Sequence, residues 1–346
     1  MAPTGPRRPE LSITSATGTS SHLIANRLCA RGQAAGCTIQ LPTGQLASRR
    51  AGITLKRHSL CPSAYAVCHK QFPLIYLIDN TTQENTTLAA HMCPAAGRMK
   101  EKRDYWREIF ATSIVERLRA AAPGAQVELK DVVWLMALCP LDALAKGMVS
   151  PFCDMFTREE FEGFEYYEDL GEYGQELGRV QGVGYVNELL ARLTRTPVRD
   201  NTQTNRTLDS SPATFPLDRT VYADFAHASV MIAIYGALGL FPQERDLDPS
   251  WADPQRSFVL AKMVPYAARL VTEKMECRGA PGSAGEGVER AEYVRIMVND
   301  AMQPLNCGGV DGICELRKFV ESMWYARSDG DGDWDRCWES QEPVES

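Results

Sequence analysis

"YADFAHASVMIAIYGALGLF", Tyr222 to Phe241, is the stretch that sets the fold class. Tyr222–Ala226 reads as a short strand, and Val230–Phe241 is a long apolar run of helical character, punctuated by Gly236 and Gly239. A strand passing directly into a helix is the repeating unit of α/β architecture. His227 stands at the junction, where the unpaired N–H groups and the dipole of the coming helix favour an anion. Two readings stay open. His227 is either part of a working site or a histidine packed at a strand end. The next residues are Ala228 and Ser229, and neither can act as a general acid.

Working outward, strand signals recur at "EYVRIMVND", and helix patterns fall at 229–240, 257–276 and 314–327. Upstream the helical period dominates. "YWREIFATSIVERLRAAAPG" sets Trp106, Ile109, Phe110, Ile114 and Leu118 on one face, and Pro123-Gly124 ends it. "LKDVVWLMALCPLDALAKG" is a second helix, expected to bend or break at Pro140. A third opens at Thr157 with Glu160 three residues on, a capping box, and "GVGYVNELLARLTRTP" is a fourth, stopped by Pro197. The first hundred residues have weak periodicity and one strand-like run, "FPLIYLID", Phe72 to Asp79. The expected organisation is a divergent, poorly ordered region at 1–80, a helical subdomain at 81–200, the α/β part at 201–338 and a tail at 339–346.

A chain of 346 residues with 44% hydrophobic and 23% charged residues can bury a large core. No apolar run reaches the roughly 20 residues of a membrane span. A net charge of −7 speaks against general nucleic-acid binding, which needs a basic face. A local basic pocket for a phosphorylated small molecule stays compatible with that balance.

Other motifs have plainer readings. Gly182-x-Gly184 lacks the third glycine of a dinucleotide loop, since Asn187 stands there, and it reads as a turn into a helix. The acidic run at 328–335 has Trp334 where a calcium loop counted from Asp329 needs glycine, and it reads as a solvated turn. Cys61, Cys68, His69, His91 and Cys93 fit no usual zinc spacing. No cofactor is expected.

The eleven cysteines point to an oxidising compartment. Cys307 and Cys314 bracket a short glycine-rich loop, and Cys139 and Cys153 a longer one. Asn80, Asn85 and Asn205 each begin an N-x-S/T sequon, which agrees with secretion. The opening "MAPTGPRRPELSITSATGTSSH" nevertheless has no apolar stretch of signal-peptide length. The expectation is therefore that the true N-terminus is missing or wrongly assembled.

"TLDSSPATFPLDRTVYADFAHASVMIAIYGALGLF" strongly resembles the histidine acid phosphatases, and the fungal phytases most closely. "SPFCDMFTREEFEGFEYYEDL", "QGVGYVNELLARLTRTPV", "YVRIMVNDAMQPLNCGGVDGICELRKFVESMWYARS" and "DWDRCW" extend the likeness over roughly residues 80 to 338. The resemblance implies an α/β three-layer sandwich of the phosphoglycerate-mutase type with an all-α insertion, incomplete at its N-terminus. It implies a secreted, metal-free phosphomonoesterase acting on inositol phosphates such as phytate. In that family a histidine in R-H-G-x-R-x-P attacks phosphorus, arginines hold the phosphate, and a His-Asp pair supplies a phosphate contact and the acid for the leaving group.

This chain departs from the pattern. R-H-G-x-R-x-P occurs nowhere in it, "SRRAGIT" and "KRHSL" being only faint echoes, and no counterpart is visible for a further phosphate-binding arginine. His227 matches the family's distal histidine, Ala228 stands in the acid's place, and Ser229 replaces an asparagine. Gly171-Glu172 precedes Tyr173-Gly174 where phytases often carry basic residues. The rival expectation is a noncatalytic secreted glycoprotein that keeps the fold. By resemblance Cys139 pairs with Cys153, Cys307 with Cys314 and Cys93 with Cys337. Cys277 would seek a partner near the missing motif, with Cys37 one option, and Cys29, Cys61 and Cys68 have no clear partner.

Overall fold

The structure, a computed structural model, describes residues 22–25, 37–38, 87–88, 92–96, 100–173, 177–278, 290–309 and 311–339. The run "FPLIYLID" and the sequons at Asn80 and Asn85 lie outside the described residues.

Helix α1 (Lys100–Ala121) buries Trp106, Ala111, Ile114, Val115 and Leu118. Ile109, expected on that face, is 46% exposed, because at 100° per residue it falls on the far side of the stripe that Ile114 and Leu118 centre. Helix α2 (Leu129–Lys146) runs on through Pro140 to Gly147, whose φ of 67° closes it in the left-handed region. The expected break is absent. Against α1 it forms a small core of Ile114, Val115, Val132, Met136 and Phe156. Helix α3 (Arg158–Glu172) starts where the sequence signal placed it. The Thr157 hydroxyl accepts the Glu160 N–H at 3.2 Å, and Glu160 takes the Thr157 N–H at 2.9 Å. Helix α4 (Val183–Thr194) stops before Pro197, with Arg195 at φ 56°.

One short turn, α5 (Arg206–Asp209), leads toward the sheet, and α6 (Ala228–Ala237) leaves it. The region at 257–276, expected to be helical, holds only the single turn α7 (Leu260–Met263). From Arg269 onward it is a strand. The sheet contains β1 (His22–Ala25), β2 (Cys37–Thr38), β3 (Ala223–Ala226), β4 (Arg269–Arg278), β5 (Arg290–Val298), β6 (Ala301–Met302) and β7 (Ile313–Glu315), in the order β3-β1-β4-β5-β6 with β2 beside β4 and β7 beside β5. Strand β4 pairs antiparallel with β5 from Leu270↔Val298 to Arg278↔Arg290. Leu270 and Thr272 are buried on one face and Val271, Glu273 and Met275 on the other, so the alternation that marks a half-exposed strand is missing. That erased the strand signal.

The resemblance implies an open edge beside "TVYADF". Instead β1 fills it, antiparallel to β3 from His22↔Ala226 to Ala25↔Ala223 and parallel to β4. Strand β2 sets Cys37 opposite Cys277 in register. The chain ends in α8 (Leu316–Ser322), α9 (Trp324–Arg327) and α10 (Asp333–Arg336). Disulfides join Cys93 to Cys337, Cys139 to Cys153 and Cys307 to Cys314.

The principal core lies between the sheet and α4 and α6. Leu270, Val294, Ile296 and Val298 meet Val186, Leu189, Leu190, Met231 and Ile234 there. A turn at Gly178–Gly182 enters α4 so close to α6 that a Cβ on Gly182 would lie 2.3 Å from the Ala233 carbonyl oxygen. Packing against that backbone explains this glycine. Gly182→Ala should therefore cost about 3 kcal/mol, as overpacking of a rigid contact does. Gly178→Ala, with nothing within 4 Å of its added methyl, should stay within about 0.5 kcal/mol. Equal melting temperatures for the two variants would contradict this packing.

Candidate functional site

His227 caps α6 with φ −80° and ψ 162°, extended backbone that ends β3 and starts the helix. Its carbonyl takes the first helical bond from Met231 N–H at 3.2 Å, while its exposed imidazole makes no capping bond. The first-turn N–H groups of α6 have no partner within the helix, so its head can receive an anion. Ala228 is half-buried and packs against the core, and it brings no proton donor to this position.

Beneath the junction lies a charged cluster that sequence reasoning missed. Arg192 on α4 donates to Asp224 on β3 at 2.7 Å, and the Tyr185 hydroxyl donates to the same Asp224 oxygen at 3.1 Å. Glu188, one turn before Arg192, sits 3.8 Å from its guanidinium and accepts the Thr87 hydroxyl at 2.9 Å. The guanidinium also stacks near Phe215 at 4.9 Å, Tyr222 at 5.0 Å and Tyr185 at 6.0 Å. Burial works against the Arg192 charge, but Asp224 and Glu188 more than offset it and raise its pKa. Burial pushes the Glu188 carboxyl up to about 8, with Arg192 pulling the other way. Asp209 is pushed up to about 6 by burial, again opposed by Arg192. The only sequence signal was a set of polar residues inside the otherwise apolar "GYVNELLARL".

The remaining candidates resolve into structure. Gly184 would meet Gln203 and Thr87 with any side chain, which supports the turn reading over a dinucleotide loop. Of the acidic run, Asp329 accepts Asn201 through N at 2.9 Å and Nδ2 at 2.7 Å, while Asp333 is buried and accepts the Tyr325 hydroxyl at 2.8 Å. The solvated turn is thus partly a buried clasp. Among the described residues no group of three or more His, Cys, Asp or Glu could hold a metal ion. Asn205 is half-buried and caps α5, accepting the Thr207 N–H at 3.0 Å. His69, Cys61, Cys68, His91 and Cys29 lie outside the described residues.

Comparison with known proteins gives the family and the fold. The family model described as histidine phosphatase superfamily (branch 2) matches residues 70–299. A "Phytase A" of Arthroderma benhamiae is 40% identical over 248 residues, covering 68% of this chain and 53% of that protein. A "Phytase A" of Aspergillus terreus is 39% identical over 287 residues, covering 78% and 59%. The chain thus spans about half the length of the curated relatives it matches. The crystal structure of the phytase from D. castellii superposes with a TM-score of 0.51 at 24% identity, over 67% of this chain and 45% of that one, and shares the fold.

The buried carboxyls set a pH dependence of known sign. Glu188, Asp209 and also Asp169, pushed up to about 6 by burial, hold a proton more tightly folded than unfolded. Their stabilisation is full below the unfolded values near 4 and is lost as pH rises through about 6 and then about 8. The melting temperature should fall from pH 5 to pH 8.5 by on the order of 5 °C or more. Glu188→Gln, which cannot ionise, should flatten the upper part of that fall. A profile that rises over the same range would refute this assignment.

Proposed function

Because the chain belongs to the histidine phosphatase superfamily (branch 2), we propose that it carries a phytase-like phosphomonoester site, built for inositol phosphates, whose catalytic step is disarmed. One observation carries the reading. His227 stands at the head of α6, positioned to meet a phosphate oxygen, and the half-buried Ala228 occupies the acid's place beside it. The Phytase A relatives support phytate or a similar phosphate ester as the ligand class. The cysteines and sequons support a secreted glycoprotein, modified at Asn80, Asn85 and Asn205.

The chemistry that remains is binding. An alkoxide leaves poorly unless it is protonated, and loss of the acid alone lowers a rate by about 10²- to 10⁴-fold. No R-H-G-x-R-x-P stands in the sequence to supply the attacking imidazole. Loss of a covalent nucleophile costs on the order of 10⁶-fold in a well-studied hydrolase. With both missing, phosphate contact at His227 and the first turn of α6 is the residual activity. The leading reading is the phytase-like phosphatase, and the alternative is a noncatalytic glycoprotein that keeps the fold.

The assay is direct. With an aryl phosphate or phytate at pH 5, the chain should release no phosphate above background. Ala228→Asp should not restore a rate. Inorganic phosphate should still bind weakly, and His227→Ala should abolish that binding. A robust hydrolysis rate that disappears in His227→Ala would overturn the proposal.

A further inference from the structure

One cluster of buried and half-buried charge, Glu188, Arg192 and Asp224, lies behind a single short strand. Strand β3 has four residues, and its only described neighbour in the sheet is β1. A strand so short at a sheet edge is weakly held by its ladder alone. Yet its last residue precedes the imidazole on which the proposed phosphate contact depends.

The Arg192 guanidinium supplies what the ladder lacks. Its Nη1 binds Asp224 in the middle of β3, three residues before His227. Its guanidinium carbon lies 5.0 Å from the Tyr222 ring and 4.9 Å from the Phe215 ring, both in the segment that delivers the chain into β3. The Tyr185 hydroxyl makes a second bond to Asp224. Arg192 and Tyr185 both sit on α4, a helix buried from Val183 to Ala191 and fixed by the principal core. One cation thus fastens residues 215–224 to the buried helix α4.

We infer that Arg192 is a positioning residue, a strut that sets where His227 stands at the head of α6. The inference deepens the phosphate-site reading and rests on it for the ligand, though not for the strut itself. Lysine would not substitute, because a compact ammonium lacks the broad, weakly hydrated guanidinium that lies near both the Phe215 and Tyr222 rings while bonding Asp224. Glu188 is not part of the strut at acidic pH. Its carboxyl stays protonated and is turned to Thr87, and Arg192 is committed to Asp224.

The test combines hydrogen exchange with the imidazole resonance of His227, assigned by its loss in His227→Ala. In Arg192→Met at pH 5, peptides covering 221–231 should exchange about tenfold faster or more, with peptides of α1 to α3 unchanged. The His227 resonance should move in Arg192→Met and in Arg192→Lys, and stay in place in Glu188→Gln. Added inorganic phosphate should shift that resonance in the unaltered chain, and the apparent affinity should fall about tenfold or more in Arg192→Met. Should Arg192→Met not fold, Asp224→Asn decides by the same two readouts. Unchanged exchange at 221–231, or acceleration spread equally over the chain, overturns the strut. Local loosening without any phosphate response in the unaltered chain upholds the strut and removes the phosphate reading.

Discussion

Helix α4 is buried from Val183 to Ala191, yet it carries Asn187 and Glu188 within that stretch and Arg192 just after it. A polar side chain inside a core is costly unless it finds a partner there, and this constraint organises the molecule. Asn187 reaches Asp200 at 2.7 Å and the Ala326 carbonyl at 2.9 Å, tying the loop after α4 to α9. Glu188 accepts the Thr87 hydroxyl, and Arg192 donates to Asp224. The carbonyl of Leu193 accepts Lys274 of β4 at 2.9 Å. The polar groups on this helix thus tie β3, β4, α9 and the segment at Thr87 to it.

Such pairs add little net stability, since desolvating two charges consumes most of their attraction. What they add is definition. Removing one partner leaves the other charged and buried, at about 3–5 kcal/mol, so alternative placements of β3 are strongly disfavoured. A second pair of this kind, Arg256 with Asp169 at 2.7 Å and Glu165 at 3.1 Å, pins the segment around residue 256 to α3. The apolar core makes the fold stable, and the buried ions decide where its edges lie.

The strand-helix junction at 222–241 was legible because a strand, a histidine and an apolar helix follow one another without a break. The Thr157 cap was legible because its partner is three residues away. Strand β4 was not, since burial on both faces removes alternation and "RLVTEKMECR" reads equally well as a helix. The pairing of β1 with β3 was hidden for another reason: "HLIA" is four residues long and lies about two hundred residues from its neighbour. The site divides in the same way. His227 could be picked out by its place before a helix. Arg192 and Asp224 are 32 positions apart, and no spacing rule joins them. Gly182 was visible as a glycine, but its reason is the backbone of α6, which only the fold brings close.

The central claim is that the head of α6 is an anion site centred on His227 and held in place from below. Anomalous diffraction from crystals soaked in tungstate, a heavy phosphate mimic, tests it most directly. The tungsten peak should lie at the first turn of α6, with an oxygen within about 3 Å of the His227 imidazole. A crystal whose α6 head stays empty while tungstate occupies another surface would contradict the claim.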